Sequence, residues 1–289
     1  MTDITLSNII QASYNALGVS NISTATAGTT LTIVDSKLAS QWTNNQWKNG
    51  YAIIVRDAGG ASAAPEGEYR RISAYSNSTY TFTVDTAFSV TPAVGDTYMY
   101  VDDTYPLLSM IEFVNDGLRS LDMLDLTDTA TITMASEKLE YAGAVAWKRS
   151  KPWKIERATD SDTDAYRWKE ITDWDYNSAT AGSTPLILFK QQYGVTYTTV
   201  KIHYKDLHPI LDTFSDKLRE EVHPELAKWA TVVKALEWRF ASGEADDDTF
   251  IQQMNNAQAK LAQAMVRFPV VSSKENVTAK TIELVFNRP

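Results

Sequence analysis

The stretch Tyr51-Ala-Ile-Ile-Val55 decides the fold, because it is a short apolar run enclosed on both sides by turn residues. Asn49-Gly50 precedes it and Asp57-Ala-Gly-Gly60 follows it, a punctuation typical of a β-strand between two turns. Short runs of this kind recur from Ile22 to Val101. We therefore expect residues 22–104 to form a first β module, a small antiparallel barrel or sandwich.

Helical spacing replaces the strand pattern on both sides of this module. In the segment from Leu6 to Leu17 apolar residues recur on one face, Thr5 or Ser7 is placed to cap the start, and Gly18 is placed to end the helix. A second helix begins at Pro106 and continues through Leu121 to Leu124, since proline is favoured in a first helical turn.

The last third of the chain is also predicted to be helical. Residues 211–241 form one long helix or two pieces, with Pro224 at the first turn of the second piece. Its predicted buried stripe consists of Leu226, Trp229, Ala230, Val233, Leu236, Glu237 and Phe240. A further helix runs to Phe268, and Pro269 ends it.

Residues 127–210 read as a second, mixed β module. Its strand-like segments are Thr129–Met134, Lys151–Ile155, Trp168–Trp174, Pro185–Phe189 and Thr198–Tyr204. The sequence thus predicts an α+β chain in which residues 1–21, 105–126 and 211–268 form a helical-bundle core. The two antiparallel β modules are inserted into that core, and residues 269–289 form an extended C-terminal arm.

The arm ends in an alternating stretch, Thr281-Ile-Glu-Leu-Val-Phe286, which is typical of a strand. A strand at the end of a chain must pair with something, either with its own sheet or with the edge of a neighbour's sheet. The residues predicted to dock a partner in this way are Thr281, Ile282, Leu284 and Phe286.

Composition excludes several classes of function. The net charge of −9 and the pI of about 4.9 argue against general nucleic-acid binding, which needs clustered positive charge. The absence of cysteine removes disulfides, thiolate metal sites and cysteine nucleophiles. The N-terminus lacks the pattern of a signal peptide, and no window has the apolar length of a membrane span.

No motif predicts a catalytic, cofactor or metal site, so the chain is expected not to be an enzyme. His203, His208 and His223 lack the spacing of a zinc site and are interpreted as structural or surface groups. Asp160-Ser-Asp-Thr-Asp164 resembles the start of a calcium loop, but Ala165 stands where that loop needs glycine. A solvated acidic loop is therefore favoured over calcium binding.

Two stretches resemble the phage head-to-tail adaptor proteins, which sit between the portal ring and the tail. The first runs from Leu31 to Tyr98 and precedes the proline-led helix that continues to Leu121. The second is Val200-Lys-Ile-His-Tyr-Lys-Asp-Leu-His-Pro-Ile-Leu211, followed by a helix rich in alanine and tryptophan through Phe240. The chain departs from compact adaptors, which are largely helical, because it carries large β insertions.

The resemblance implies a structural virion protein at the portal–tail junction, made in the host cytoplasm. It implies a ring homo-oligomer of twelve copies around a DNA channel. The portal protein and other neck or tail proteins are the implied partners, with DNA met only as the passing genome and no membrane involved. The acidic charge is compatible with a wall that repels DNA.

Two other functions stay open at the level of sequence. The first is a β-rich tail, baseplate or decoration protein that binds a surface glycan, with tryptophans stacking on sugars. The tryptophans considered are Trp42, Trp47, Trp147, Trp153, Trp168 and Trp174, although such residues are more often core or interface anchors. The second is a hydrolase with paired carboxylates, although no sequence motif indicates such a site.

Overall fold

The computed structural model describes residues 4–38, 42–60, 63–148, 150–159, 168–178, 184–193, 198–243 and 248–270. These residues belong to two units, each with its own packing. The first unit contains the chain up to Leu121 together with His208–Val270, and the second contains Asp122–Leu207.

The first unit contains one seven-stranded antiparallel sheet with the order β1-β7-β4-β5-β6-β3-β2. The strands are β1 (Ser20–Thr24), β2 (Ala27–Thr29), β3 (Thr32–Val34), β4 (Tyr51–Arg56), β5 (Tyr69–Ser76), β6 (Thr81–Val84) and β7 (Thr97–Val101). Ala25 and Thr26 join the two ends of this order, because their amides donate to the carbonyls of Asp96 and Val34, both at 2.8 Å. The two outer strands β1 and β2 are therefore consecutive segments of the chain, and each pairs with its own neighbour in the sheet.

Aromatic side chains fill the interior of this sheet. The ring centroids of Phe82 and Tyr100 are 5.0 Å apart, and those of Trp47 and Tyr100 are 4.8 Å apart. Tyr98 is fully buried and its hydroxyl donates to the buried carboxylate of Asp35 at 2.9 Å. Burial and the neighbouring charge of Asp35 raise the pKa of Tyr98, so the tyrosine stays a neutral donor.

Four helices are described: α1 (Leu6–Leu17), α2 (Leu107–Ser120), α3 (Pro224–Ala241) and α4 (Asp248–Arg267). The predicted ends of α1 are confirmed, with Thr5 as the N-cap and Gly18 in the left-handed conformation at φ 73°. Within the described residues, no helix combines the length and the apolar character needed to cross a membrane.

Helix α3 packs against α1, α2 and α4. The backbones of α2 and α3 approach closely at Gly117 of α2, where a Cβ atom would lie 2.9 Å from the carbonyl carbon of Ala230 and 3.0 Å from the amide of Thr231. Only glycine leaves room for this contact. The buried face of α2 consists of Leu107, Met110, Phe113, Val114, Gly117 and Leu118, whereas Leu108 is exposed.

The prediction that helix continues over residues 211–223 is wrong. The amide side chain of Asn115 accepts from the backbone of Leu211 at 2.8 Å and donates to its carbonyl at 3.0 Å. The carboxylate of Asp216 accepts from the backbone amides of Asp212 and Thr213, and the Leu6 amide donates to the Asp216 carbonyl at 2.8 Å. These local and long-range bonds replace the helical ones, so α3 begins only at Pro224.

The second unit contains two antiparallel sheets, with the orders β11-β10-β14-β8 and β12-β13-β9. The strands are β8 (Leu124–Asp128), β9 (Glu140–Ala142), β10 (Lys154–Ala158), β11 (Trp168–Glu170), β12 (Trp174–Asn177), β13 (Leu186–Phe189) and β14 (Val200–Asp206). One apolar cluster includes side chains of both sheets, among them Ile155, Ile187 and Ile202, with Trp147 fully buried. Both sheets therefore share one core.

The predicted helical-bundle core is wrong. Strands outnumber helices in the described chain, and they form three antiparallel sheets with hydrophobic clusters inside them. The amount of helix was overestimated because two helices were predicted to be longer than they are. Residues 211–223 form turns, and Leu124 starts a strand that pairs with β14 instead of ending α2. The strand predicted over Thr129–Met134 is reduced to a single bridge between Thr133 and Thr199.

The contact at Gly117 makes a prediction about stability. Gly117→Ala should lower the free energy of unfolding by about 1 kcal/mol, because overpacking costs about 2 kcal/mol at the middle of its usual range and better helix propensity returns only about 1 kcal/mol. Asp116→Ala, at an exposed position of the same helix, is the matched control and should not destabilise the chain. Denaturant midpoints of the full chain measure both, and equal midpoints would contradict the close contact.

A second prediction concerns His208, which is 3% exposed. Its Nδ1 bonds the Pro209 carbonyl at 2.7 Å and its Nε2 accepts from the Arg219 amide at 3.2 Å, so the ring is neutral. Burial lowers the pKa of His208, with Arg219 acting in the same direction and Glu221 and the Pro209 bond opposing it. Because the pKa of His208 is lower in the folded chain, its neutral ring stabilises the fold at pH values above the unfolded-state pKa of about 6.5. This stabilisation is lost as the pH falls through the folded-state pKa.

Thermal midpoints measured between pH 7.5 and pH 5 should therefore decrease in the wild-type chain. His208→Gln lowers stability at pH 7.5 but should remove much of this pH dependence. His203→Gln is the control, because His203 lies in the second unit and bonds Glu156 at 2.8 Å. A pH profile that is unchanged in His208→Gln would contradict the assignment.

Candidate docking surface

The open surface of the hairpin formed by α3 and α4 concentrates exposed apolar side chains in the first unit. Helix α4 packs on α3 through Phe250, Ala257 and Ala264, which recur every seven residues. Two of these three are alanines, so α4 buries few large side chains. At the open end of the hairpin the rings of His223 and Phe268 stack at 3.6 Å, while the His223 Nδ1 caps α3 by accepting from the Glu225 amide.

The closed end of the hairpin carries an aromatic cluster, the aromatic tip. It consists of the ring pairs Phe113–Trp238 and Phe240–Phe250 and of Tyr105, with Arg239 over the rings of Tyr105 and Phe250. The ring of Trp238 lies 5.6 Å from that of Phe113, and Phe240 stacks on Phe250 at 6.5 Å. Trp238 is 38% exposed and Phe240 is 48% exposed. Two large aromatic side chains thus remain open to solvent on neighbouring positions.

Arg239 is sandwiched at this tip. Its guanidinium carbon lies 5.5 Å from the centroid of Tyr105 and 6.0 Å from that of Phe250. Its Nε is buried, and among the described residues it has no hydrogen-bond acceptor. A cation held by aromatic rings with an unused donor is a common composition of energetic centres in protein interfaces, where Trp, Tyr and Arg are enriched.

A groove of about 400 Å³, the α3–α4 groove, lies between these helices and α1. Its apolar wall is formed by Ala16, Trp229, Val232, Leu236 and Ala257. Its polar wall is formed by Thr249, Gln252, Gln253, Asn256 and Lys260, all on α4. The volume is in the range of binding clefts, roughly 300–1,000 Å³.

Glu225 fixes the aromatic part of the apolar wall. The indole of Trp229 donates to the Glu225 carboxylate at 3.0 Å, and the Lys228 ammonium contacts the same oxygen at 2.7 Å. The Lys228 hydrogen bond lowers the pKa of Glu225 against the smaller effect of its burial, and Trp229 adds to the lowering. The ionised carboxylate therefore holds the Trp229 ring in place at neutral pH.

The predicted docking residues Thr281, Ile282, Leu284 and Phe286 lie outside the described residues, as do the aspartates at positions 160–164 of the suspected calcium loop. Among the described residues, no group of three or more His, Asp or Glu side chains is arranged to hold a metal ion.

Most of the tryptophans considered for glycan binding pack against other side chains of the chain. Trp47 and Trp147 lie in the two cores, and Trp42 packs edge-on against Trp47 at 5.2 Å. Lysines cover two others, with Lys201 4.1 Å from the Trp168 centroid and Lys151 5.6 Å from that of Trp174. No observation on the described residues favours the glycan alternative.

Sequence reasoning missed both parts of this surface. Phe240 was predicted to be buried because it continues the apolar stripe of α3, but it is 48% exposed although its ring stacks on that of Phe250. The polar wall had a readable signal, since Gln252, Gln253 and Asn256 place three amides on one side of the apolar stripe of α4. No family model matches this chain, and comparison with curated proteins gives no match either.

Proposed function

We propose that this chain is a structural subunit of a phage virion that assembles as a ring at the portal–tail junction. Its action is binding geometry: copies contact each other and the portal through protein surfaces, and the genome passes through the ring. The proposal rests on the resemblance of residues 31–98 and 200–240 to head-to-tail adaptors and on the aromatic tip.

The exposed aromatic tip is the observation that carries the proposal. Trp238 and Phe240 lie on the same helical turn as Arg239, whose Nε lacks an acceptor within the described part of the chain. Grouped exposed apolar side chains of this kind mark interaction sites. A subunit that is buried on assembly accounts for them, because the partner would cover both rings.

Charge supports the same proposal. The chain carries a formal charge of −9. Twelve copies around a channel would multiply that charge, and phosphates would be repelled from the wall. A DNA conduit needs this property, since tight binding would hinder passage of the genome.

The test is assembly on the portal protein of the same virion. We expect the wild-type chain to join the portal as a ring, detected by sizing and by cryo-EM of the complex. Replacing both tip aromatics, Trp238→Ser with Phe240→Ser, should weaken assembly by on the order of thirtyfold or more, because interface centres contribute about 2 kcal/mol or more.

Val94→Ser is the matched control, because Val94 is 71% exposed, lies in the same unit and is not part of the tip. The control should assemble like the wild type, and circular dichroism should show all variants folded. A wild-type chain that never joins the portal would contradict the proposed function. A tip variant that assembles as well as the control would show that the tip is not the contact.

A further inference from the structure

Helix α4 carries a second apolar stripe, which is open to solvent among the described residues. At its two ends Ile251 is 38% exposed and Met265 is 48% exposed. Between them, Gln258 is exposed, while Met254 and Leu261 are half-buried. This stripe is called the α4 seam, and it consists of Ile251, Met254, Gln258, Leu261 and Met265.

The spacing of the α4 seam is that of a surface that packs on another helix. Its residues follow each other at alternating intervals of three and four, the repeat of helices that pair along their length. The side of α4 that packs on α3 is a different one, formed by Phe250, Ala257 and Ala264. Three seam residues each come directly after one of these, so they point about 100° away around the helix. The seam therefore has a helix-packing pattern that α3 does not use.

The charge of α4 favours a second copy of this chain as the partner. Asp248 stands at the start of the helix, Lys260 and Arg267 lie in its second half, and the residues between carry no other charge. The whole chain carries a formal charge of −9, so most of its surface repels a second copy. Two copies can meet at the α4 seam without bringing carboxylates together.

The α4 seam is complementary to itself when two copies run antiparallel. Ile251 and Met265 lie seven residues to either side of Gln258, so each apolar end of the seam meets the other apolar end. The same arrangement brings Asp248 of one copy towards Arg267 of the other. A parallel arrangement would instead bring like charges together at both ends. Charge thus selects the antiparallel pair.

Gln258 is the polar residue at the middle of the seam. A single polar residue in an otherwise apolar helix seam fixes the register and the number of helices, at some cost in stability. A side-chain amide both donates and accepts hydrogen bonds. Two copies of Gln258 that meet near a two-fold axis can therefore bond each other.

We propose that two copies of this chain pair in solution through the α4 seam, as an antiparallel dimer with two-fold symmetry and Gln258 near the axis. A contact that uses the same surface on both copies is complete once two copies have joined, so it does not continue from copy to copy around a ring. The inference therefore goes beyond the proposed ring and concerns a separate surface.

Sedimentation equilibrium of the full chain tests the pairing. At tens of micromolar we expect a mass of twice the 32.2 kDa of one chain. Met265→Glu should weaken the dimer at least about tenfold, because pairing would bury an unpaired carboxylate beside Ile251. Val266→Glu is the matched control. It adds the same charge at the next position, which is 86% exposed and points away from the seam, and it should leave the dimer intact.

Cross-linking tests the antiparallel orientation, because the natural chain contains no cysteine. Chains with Ile251→Cys are equilibrated with chains with Met265→Cys and treated with a short bismaleimide, and a cross-linked dimer is expected. Chains with Ile251→Cys alone should give at least about tenfold less dimer, since antiparallel pairing separates their cysteines by about 21 Å along the helix. Equal yields would overturn the antiparallel pair.

Three other outcomes would overturn the inference. The first is a wild-type chain that stays monomeric at every concentration. The second is a dimer that persists in folded Met265→Glu as it does in Val266→Glu. The third is a monomer in which Gln258→Cys is shielded from a soluble maleimide while Gln263→Cys, on the opposite side of α4, reacts. That result would assign the seam to the chain's own C-terminal residues.

The sizing experiment with the portal judges the ring separately. A chain that is monomeric on its own and still joins the portal contradicts the seam dimer and leaves the proposed function standing. A chain that dimerises through the seam and never joins the portal contradicts the proposed function alone.

Discussion

The helical part of the first unit depends on the close approach of α2 to α3 at Gly117. No side chain separates the two backbones there, so α3 can be enclosed by α1, α2 and α4 together. An enclosed helix needs small or apolar residues around most of its circumference, and Ala227, Ala230, Thr231, Val232 and Ala235 supply them. Among the described helices, α4 packs mainly on α3. The exposed faces of α4 and the groove beside it are consequences of that arrangement.

Features that depend on a few adjacent residues could be predicted from the sequence. The cap at Thr5, the stop at Gly18 and the start of α3 at Pro224 are local geometry, and the structure has all three. The prediction of a helix over residues 211–223 failed. Their apolar spacing resembles that of a helix, but their backbone hydrogen bonds are not those of a helix. Asn115 holds the backbone of Leu211 from 96 positions away, and no reading of a local window contains that partner. For the same reason Leu124 was predicted to end a helix, although it begins a strand that pairs with β14.

The candidate surface was harder to predict because exposure depends on where neighbouring elements end. The stripe of α3 is correct at Leu226, Ala230, Val233 and Leu236, which are all buried. It fails at Glu237 and Phe240, which are both exposed, and Trp229 is only half-buried. Apolar periodicity shows which side of a helix faces the core. It does not show how far the neighbouring elements cover that side. Phe240 is therefore exposed in the fold although its spacing places it on the buried stripe.

The edges of the first sheet bear on how a terminal strand can dock. Strand addition needs a long, accessible row of unpaired backbone groups. In the first unit the outermost strands β1 and β2 have five and three residues, and Ala25 and Thr26 tie them together by bonds to both neighbours. Such short edges offer an incoming strand few main-chain partners.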